Sequence, residues 1–409
     1  MVDAAPFRAL RYNAEVAGDA TATSAPAYDD FDRFDYARHR TASPYTVLEL
    51  LAPRDPGGYA AAGAAYRRWR RTGVLEVDPE PGFHIYEQHE LRHGVPTLQR
   101  GVLAAVRVSG PVLDPTIAVH EEVDTQRVHA RMERLVAVPA DLAPVFMIAT
   151  SVPPPLGELL GRPPTEPPIA RLTDEQGVDH RVWSRTAPDQ VRAFRELLTD
   201  VRVLVADGHH RYAAAQALAR ATTGPGPASR TLAHIVDAGT YGPQVLAVHR
   251  LVRRLPTDWE QQIRAEFTIV PAPARVDALL ARLEGEGPGV VAVARADGAW
   301  FLRPNRLQVL RDHMPGGATA AWRALDTALV DSVLLPRLGI PPGEVEHRVD
   351  APATLAQLGV DGLGALILVR PVDVATVLQI VDGGERMPAK STSFRPKPRA
   401  GLVMRAIEE

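Results

Sequence analysis

Five consecutive residues, Asp207 to Arg211, place a carboxylate, a glycine, two imidazoles and a guanidinium side by side. A guanidinium and imidazole N–H groups can hold an anion through charge-assisted hydrogen bonds. If a helix begins here, the free N–H groups of its first turn point at the same ligand. This DGHHR segment therefore predicts an anion site, most simply for a phosphate group. A tight turn that carries surface histidines is the alternative.

The flanking residues predict the elements that position this segment. The run from Val201 to Val205 is apolar and β-branched, which favours a buried strand. The Ala-, Leu- and Arg-rich run that ends at Arg220 favours a helix. Asp207 can cap that helix with its carboxylate, and Gly208 permits a sharp change of direction. We therefore expect a strand, a tight turn and a helix N-terminus.

The composition limits the kinds of function. The chain has 409 residues, of which 45% are hydrophobic and 23% charged, and its formal net charge is -3. This length allows two or three domains, and the charge argues against a nucleic-acid surface. No apolar run has the length of a membrane span and no signal-peptide pattern is visible, so we expect a cytoplasmic protein without a membrane partner. The sequence contains no cysteine, which excludes disulfides, thiolate metal sites and cysteine nucleophiles.

Only two of the 46 basic residues are lysines, and both lie in the last twenty positions. A lysine ammonium is a compact, mobile charge that the planar guanidinium of arginine does not reproduce. Lys390 is followed by Ser391 and Thr392, and this hydroxyl-and-ammonium cluster suits a phosphate group. We therefore predict that the tail folds back onto the DGHHR segment, with Lys390 active and Lys397 structural.

Two further pairs of residues could contribute to a site. His249 and Arg250 form a second basic pair, which the apolar run before it places at the end of a strand. His120 and Glu121 precede a predicted basic helix. Glu121 could be a catalytic base or a metal ligand, and a capping or salt-bridged glutamate is the alternative. Asp29 could act in the same way or be a solvated loop acid.

The order of apolar, helical and turn-forming stretches predicts a mixed α/β (α+β) chain in four parts. Residues 1–150 form the N-terminal part of a catalytic core, and residues 151–255 form the part that contains DGHHR. Residues 256–383 form a second α/β domain, and residues 384–409 form a tail that returns to the core. In detail, residues 43–53 are predicted as a strand, and residues 371–380 as a helix with proline in its first turn.

Segments along nearly the whole chain resemble a bacterial and archaeal family known as domain of unknown function 1015. These segments are PFRALR, the Tyr28-Asp29 pair of PAYDD, His120-Glu121, Arg131, ADGHHRY, His249-Arg250 and MPAKST with its trailing PK. The chain departs from the family pattern at Ala27, Val123, Ala213, Ala214, Ser393 and Arg395. ADGHHRY also resembles the phosphate-binding turn of the ParB and sulfiredoxin fold, which includes kinases of free serine. The resemblance implies a ParB/sulfiredoxin-like core and a phosphoryl-transfer site, with free serine as a candidate substrate.

For such a site we assign roles by chemistry, since phosphoryl transfer needs held phosphates, balanced charge and an aligned hydroxyl. Gly208, His209, His210 and Arg211 are assigned to the donor phosphates, with His249 and Arg250 as further phosphate ligands. Lys390 with Ser391 or Thr392 would balance charge on the transferred group. Asp29, Glu121 or Asp207 would accept the hydroxyl proton or hold Mg²⁺. His120, Arg131 and Tyr28 complete the candidate site, and the donor could be ATP, ADP or pyrophosphate.

Two other functions remain open at this stage. One is a nucleotide-binding regulatory module of the ParB type, and the other is a phosphohydrolase that uses water as the acceptor. A variant of the phosphohydrolase, which the sequence supports less well, would use a metal ion bound by His120, His209 and His210. We expect a small-molecule substrate and a phosphate donor as partners, with a homodimer as one possible assembly.

Overall fold

The computed structural model describes residues 2–27, 33–53, 57–92, 95–108, 116–150, 160–161, 164–199, 201–222, 226–239, 241–358 and 364–408. The strands are β1 (Ala4–Ala5), β2 (Ala9–Tyr12), β3 (Leu75–Val77), β4 (Phe83–Arg92), β5 (Val95–Arg107), β6 (Ile117–Val119), β7 (Ala140–Asp141), β8 (Val145–Ala149), β9 (Ala170–Thr173), β10 (Asp179–Arg185), β11 (Val203–Asp207), β12 (Arg230–Asp237), β13 (Gln244–Ala247), β14 (His249–Val252), β15 (Phe267–Pro271), β16 (Val291–Arg295), β17 (Gly298–Pro304), β18 (Val345–Arg348), β19 (Ala365–Leu368), β20 (Thr392–Arg395) and β21 (Met404–Ala406). The helices are α1 (Ala14–Ala17), α2 (Ala20–Thr23), α3 (Arg33–Ala42), α4 (Leu48–Leu51), α5 (Gly58–Arg71), α6 (Thr125–Ala137), α7 (Pro188–Thr199), α8 (His209–Ala221), α9 (Trp259–Ile263), α10 (Val276–Glu284), α11 (Leu307–Asp312), α12 (Ala320–Arg323), α13 (Asp326–Leu329), α14 (Leu335–Arg337), α15 (Ala351–Gln357) and α16 (Val374–Asp382), and residues Val330–Leu334 form a π-helical turn. The predicted mixed α/β architecture is confirmed.

The chain divides into two compact units. The first unit comprises Met1–Val119, Val123–Pro243 and Pro396–Glu409, and the second comprises His120–Glu122 and Gln244–Arg395. Of the predicted tail, residues 396–409 belong to the first unit, where β21 pairs with β2 and β7, whereas residues 384–395 belong to the second unit. The predicted domain boundary lies after residue 255, whereas this division places β13 and β14 in the second unit.

The first unit is built on a large mixed sheet that places the DGHHR segment at one strand end. Within the described residues its strand order is β6-β11-β8-β12-β5-β4-β10-β9, with β1 added beside β5. β11 is parallel to β6 and antiparallel to β8. Its residues Val203, Leu204 and Val205 are fully buried, which explains why an apolar β-branched run forms this strand. Phe194 of α7 and Tyr212 of α8 pack in the same core.

The second unit has its own antiparallel sheet and its own core. The strand order among the described residues is β15-β17-β16-β19-β14-β18. Leu279 and Leu283 of α10 pack against Leu251, Phe301 and Leu366 of the sheet. A separate two-stranded ribbon joins β13 to β20, so the MPAKST end of the tail is held by main-chain pairing.

One local prediction is wrong, and a second misplaces the start of a helix. The segment predicted as a strand over residues 43–53 contains the helical turn α4, whose Leu48, Leu50 and Leu51 are buried. A short apolar run fits a buried helix as well as a buried strand, and packing decides between them. The helix predicted from residue 371 begins at α16, where the Asp373 side chain caps it by accepting from the Thr376 N–H group at 2.7 Å. In the described part of the chain, no helix has both the length and the apolar character needed to cross a bilayer.

Candidate functional site

The predicted strand, tight turn and helix are present around the DGHHR segment. β11 ends at Asp207, Gly208 is the N-cap residue of α8, and the helix begins at His209. Gly208 has a φ of +89°, a left-handed conformation that glycine adopts without strain. A Cβ atom at this position would also lie 2.9 Å from Nε and Nη2 of Arg211. The left-handed backbone therefore favours glycine here, and any larger residue would also displace the Arg211 guanidinium.

Replacing Gly208 with alanine is expected to lower the free energy of unfolding by about 1–2 kcal/mol, because the left-handed backbone is costly for other residues. The matched control is Gly226→Ala, since a Cβ there meets open space on an extended backbone. The control should change stability by less than about 0.5 kcal/mol. Urea denaturation of both variants measures the difference, and equal losses would show that the turn is not constrained.

Asp207 does not cap the helix, contrary to the prediction. Its Oδ1 atom lies 2.8 Å from Nζ of Lys397, and its Oδ2 atom accepts a hydrogen bond from Nη2 of Arg211 at 2.6 Å. Burial by itself would raise the pKa of Asp207, but the Lys397 ammonium and the Arg211 guanidinium outweigh it and hold the pKa well below the ordinary range. The carboxylate turns toward these two cations because they offer stronger hydrogen bonds than the helix amides.

This arrangement bears on the choice among the three candidate acids. A carboxylate held ionised between two cations is a weak proton acceptor, so Asp207 fits a role in positioning Lys397 and Arg211. Glu121 is half-buried and belongs to the second unit. Asp29 and Tyr28 lie outside the described residues. Within the described residues, no three His, Asp or Glu side chains form a group that could hold a metal ion.

The two histidines of the DGHHR segment lie in the first turn of α8. His209 is buried, and Nε2 of His210 accepts a hydrogen bond from the Asp124 N–H group at 3.1 Å. This bond requires Nε2 without a proton, which places the ring proton of a neutral His210 on Nδ1. Asp124 is the N-cap residue of α6. The bond therefore ties the N-terminal ends of α6 and α8 together.

The lysine that contacts the DGHHR segment is Lys397, which sequence reasoning had treated only as a structural residue. The tail main chain around it is fixed by two buried glutamines. Nε2 of Gln88 donates to the Lys397 carbonyl at 2.9 Å, and Nε2 of Gln99 donates to the Pro396 carbonyl at 3.0 Å. The sequence did contain a signal for Lys397, because the Pro396-Lys397 pair follows MPAKST in a chain whose other basic residues are nearly all arginines. Lys390, in the second unit, is exposed and has a left-handed φ of +54°.

The HE and MPAKST segments meet inside the second unit. Nε2 of His120 lies 3.1 Å from Oγ1 of Thr392, and the His120 carbonyl accepts from the Met387 N–H group at 2.8 Å. The Ser391 hydroxyl donates to the Pro388 carbonyl at 2.7 Å and lies 3.1 Å from the Thr327 hydroxyl. The hydroxyl groups of Ser391 and Thr392 are therefore already used to hold this junction. Their assignment to phosphate remains a prediction.

His249 and Arg250 begin β14 and do not end a strand, because Val248 separates β13 from β14. Arg250 is fully buried, and its Nε and Nη2 atoms donate to the Asp331 carboxylate at 3.0 and 2.6 Å. Its Nη1 atom donates to the Lys390 carbonyl at 3.0 Å. Burial lowers the pKa of His249 to about 4, so its ring is neutral near pH 7. Arg250 therefore anchors the tail turn at Lys390, whereas Nδ1 of His249 accepts from the Val369 N–H group at 3.3 Å.

Comparison with known proteins identifies the family. Residues 4–328 match a family described as a protein of unknown function, DUF1015. The chain belongs to the DUF1015 family. The resemblance to this family seen in the sequence is thereby confirmed. No curated protein matches the chain.

Several solved structures resemble this DUF1015 protein at low identity. The C-terminally truncated SbnI from Staphylococcus aureus is 15% identical with a TM-score of 0.38, covering 72% of this chain and 82% of SbnI. A free serine kinase in complex with AMP is 13% identical with a TM-score of 0.36, covering 69% of this chain and 87% of the kinase. A conserved hypothetical protein from Pyrococcus furiosus is 13% identical with a TM-score of 0.35, covering 69% of this chain and 90% of that protein.

Proposed function

We propose that this protein is a phosphoryl-transfer enzyme that moves a phosphate group from a nucleotide or pyrophosphate to a small hydroxyl-bearing molecule such as free serine. The observation that supports this most is the start of α8. Its N-terminus follows Gly208 at the end of β11, and the cations Arg211 and Lys397 lie beside it. Helix amides, the positive end of the helix dipole and nearby cations together suit a donor phosphate.

The roles follow from what phosphoryl transfer requires. The P–O bond to the donor breaks, a P–O bond to the acceptor hydroxyl forms, and the hydroxyl proton passes to a base. In this proposal the first turn of α8 holds the donor phosphates, and Asp207 keeps Arg211 and Lys397 oriented toward them. Asp207 is a weak base between its two cations, so another group takes the proton, and the assignment of that role to Glu121 or Asp29 rests on the sequence alone. The contributions proposed for Lys390, Ser391 and Thr392 rest on the sequence.

Phosphorus NMR of the purified protein with ATP, ADP or pyrophosphate, with and without serine, tests this proposal. Phosphoserine that forms only when both serine and a donor are present would support transfer to a hydroxyl. Orthophosphate released at the same rate without serine would show a phosphohydrolase. Nucleotide binding without any turnover would show a regulatory module of the ParB type. Either of the last two results overturns the proposed enzyme.

Replacing Arg211 with alanine is expected to weaken donor binding by about 1.5–3 kcal/mol, the value of a hydrogen bond to a charged group. Calorimetric titration with pyrophosphate or a nucleotide measures the loss. Arg220→Ala is the matched control, because Arg220 is an exposed arginine at the other end of the same helix. If both variants bind the donor like the unaltered protein, the DGHHR segment is not the donor site.

A further inference from the structure

A small cleft lies beside β1 and the C-terminal half of α7 in the first unit. Its volume is about 370 Å³, which is at the lower end of the range for small-molecule sites. β1 packs against α7, and Arg195 and Thr199 line the cleft together because they are four residues apart on this helix. Among the described residues, those that line the cleft include none of the DGHHR segment and none of the tail. The cleft is therefore separate from the α8 turn.

The N-terminal residues give the cleft an apolar side. Val2, Ala4 and Ala5 line it there. Val2 is 2% exposed and Ala4 is 6% exposed, whereas Ala5 is half-buried. Main-chain pairing with β5 holds these residues in place. An aliphatic group that enters the cleft would leave water and contact this side, so the cleft suits the apolar part of a small ligand.

Three charged side chains also line the cleft, and two of them pair with each other. Nη2 of Arg230 donates to the Asp3 carboxylate at 2.7 Å, and the same carboxylate accepts from Nε of Arg107. The Thr199 hydroxyl donates to the Arg195 carbonyl at 2.8 Å, so its proton is used within the helix. The Arg195 side chain is exposed, and in the described part of the chain it forms neither a hydrogen bond nor an ion pair. Its guanidinium is therefore ready to bind a ligand.

The charges of the lining favour a ligand with a single negative charge. A guanidinium can donate two parallel hydrogen bonds to the two oxygens of a carboxylate. A phosphate group carries nearly two negative charges near pH 7, and the Asp3 carboxylate in the same cleft would repel the second charge. A carboxylate with a short aliphatic chain fits both Arg195 and the apolar side.

We propose that this cleft binds a small aliphatic monocarboxylate. The two carboxylate oxygens contact the Arg195 guanidinium, and the alkyl part lies against Val2, Ala4 and Ala5. The inference goes beyond the proposed function and does not depend on it, since the cleft shares no residue with the proposed donor site.

Calorimetric titration of the full chain with sodium butyrate and with butyramide tests the inference. Butyramide has the same alkyl chain without the charge, so it should bind at least about tenfold more weakly than butyrate. Arg195→Gln should lower butyrate affinity about tenfold and leave orthophosphate affinity unchanged. Arg195 is exposed, so this variant is expected to fold normally. Arg192→Gln is the control, because Arg192 is an exposed arginine of the same helix that does not line the cleft.

Ala5→Leu tests the apolar side, because the larger side chain would occupy the cleft and leave Arg195 in place. This variant should lower butyrate affinity more than acetate affinity. If circular dichroism shows that Ala5→Leu does not fold, Arg195→Gln decides by itself.

Three results would overturn the inference: no binding of butyrate, equal affinity for butyrate and butyramide, or normal butyrate binding by Arg195→Gln. Equal losses of butyrate and orthophosphate affinity in Arg195→Gln would show a general anion site and overturn the carboxylate assignment. The titrations contain no nucleotide and no serine, so their outcome is independent of whether the protein transfers phosphoryl groups.

Discussion

Replacing Lys397 with methionine is expected to lower the stability of the first unit by about 3 kcal/mol. Methionine fills similar space, so the main loss is the ammonium that lies 2.8 Å from the Asp207 carboxylate. The side chains of Lys397 and Asp207 are only 11% and 12% exposed, so water does not take the place of the missing charge. Arg211 remains on the other carboxylate oxygen, which keeps the loss at the lower end of the range for buried pairs.

Hydrogen exchange of peptides from β11 and α8 measures this effect on the first unit by itself. The variant Asp207→Asn and the double variant of Lys397 and Asp207 complete a double-mutant cycle. The double variant should be more stable than the sum of the two single losses predicts. The control is Arg107→Met, which breaks the ion pair between Arg107 and Asp3. The side chain of Arg107 is 50% exposed and that of Asp3 is 43% exposed. This exposed pair should contribute about 1 kcal/mol or less. Equal losses for Lys397→Met and Arg107→Met would mean that the buried pair has no special role.

The DGHHR segment was predictable because its structure depends on neighbouring residues. An apolar run, a glycine and a helix-forming run follow one another without interruption, and each favours the element observed. The partner of Asp207 was not predictable in the same way, since Lys397 lies 190 residues further along the chain. The sequence indicated that a lysine of the tail would reach this segment, but local chemistry favoured Lys390. The choice depends on how Gln88 and Gln99 hold the tail main chain.

Arg250 shows a second limit of sequence reasoning. A basic pair after an apolar run is typical of an exposed strand end, so Arg250 was assigned to phosphate. In the structure its guanidinium is fully buried by the π-helical turn that carries Asp331. Asp331 follows Arg250 by 81 residues, and a partner so distant gives no local signal.

Replacing His234 with phenylalanine is expected to make the first unit more resistant to acid. His234 is fully buried on β12, and neither ring nitrogen has a hydrogen-bond partner among the described residues. Its ring centroid lies 4.8 Å from that of Tyr86 and 5.7 Å from that of Phe146. Burial lowers the pKa of His234 to about 3, and the Tyr86 main chain opposes this only in part. A phenylalanine ring suits these aromatic neighbours without carrying a titratable group.

The sign of the pH effect follows from the lowered pKa. Above about pH 6.5 the ring is neutral in both the folded and the unfolded chain, so it adds no pH dependence. Below that pH the unfolded chain binds a proton that folded His234 does not accept until about pH 3, so stability falls with the pH. The loss is about 1.4 kcal/mol per pH unit, or about 2 kcal/mol between pH 6.5 and pH 5. His234→Phe should remove this part of the slope in hydrogen exchange of β12, whereas a variant of the exposed His129 should keep it. If His234→Phe leaves the slope unchanged, the ring accepts a proton in the folded state and must contact water or a polar group there.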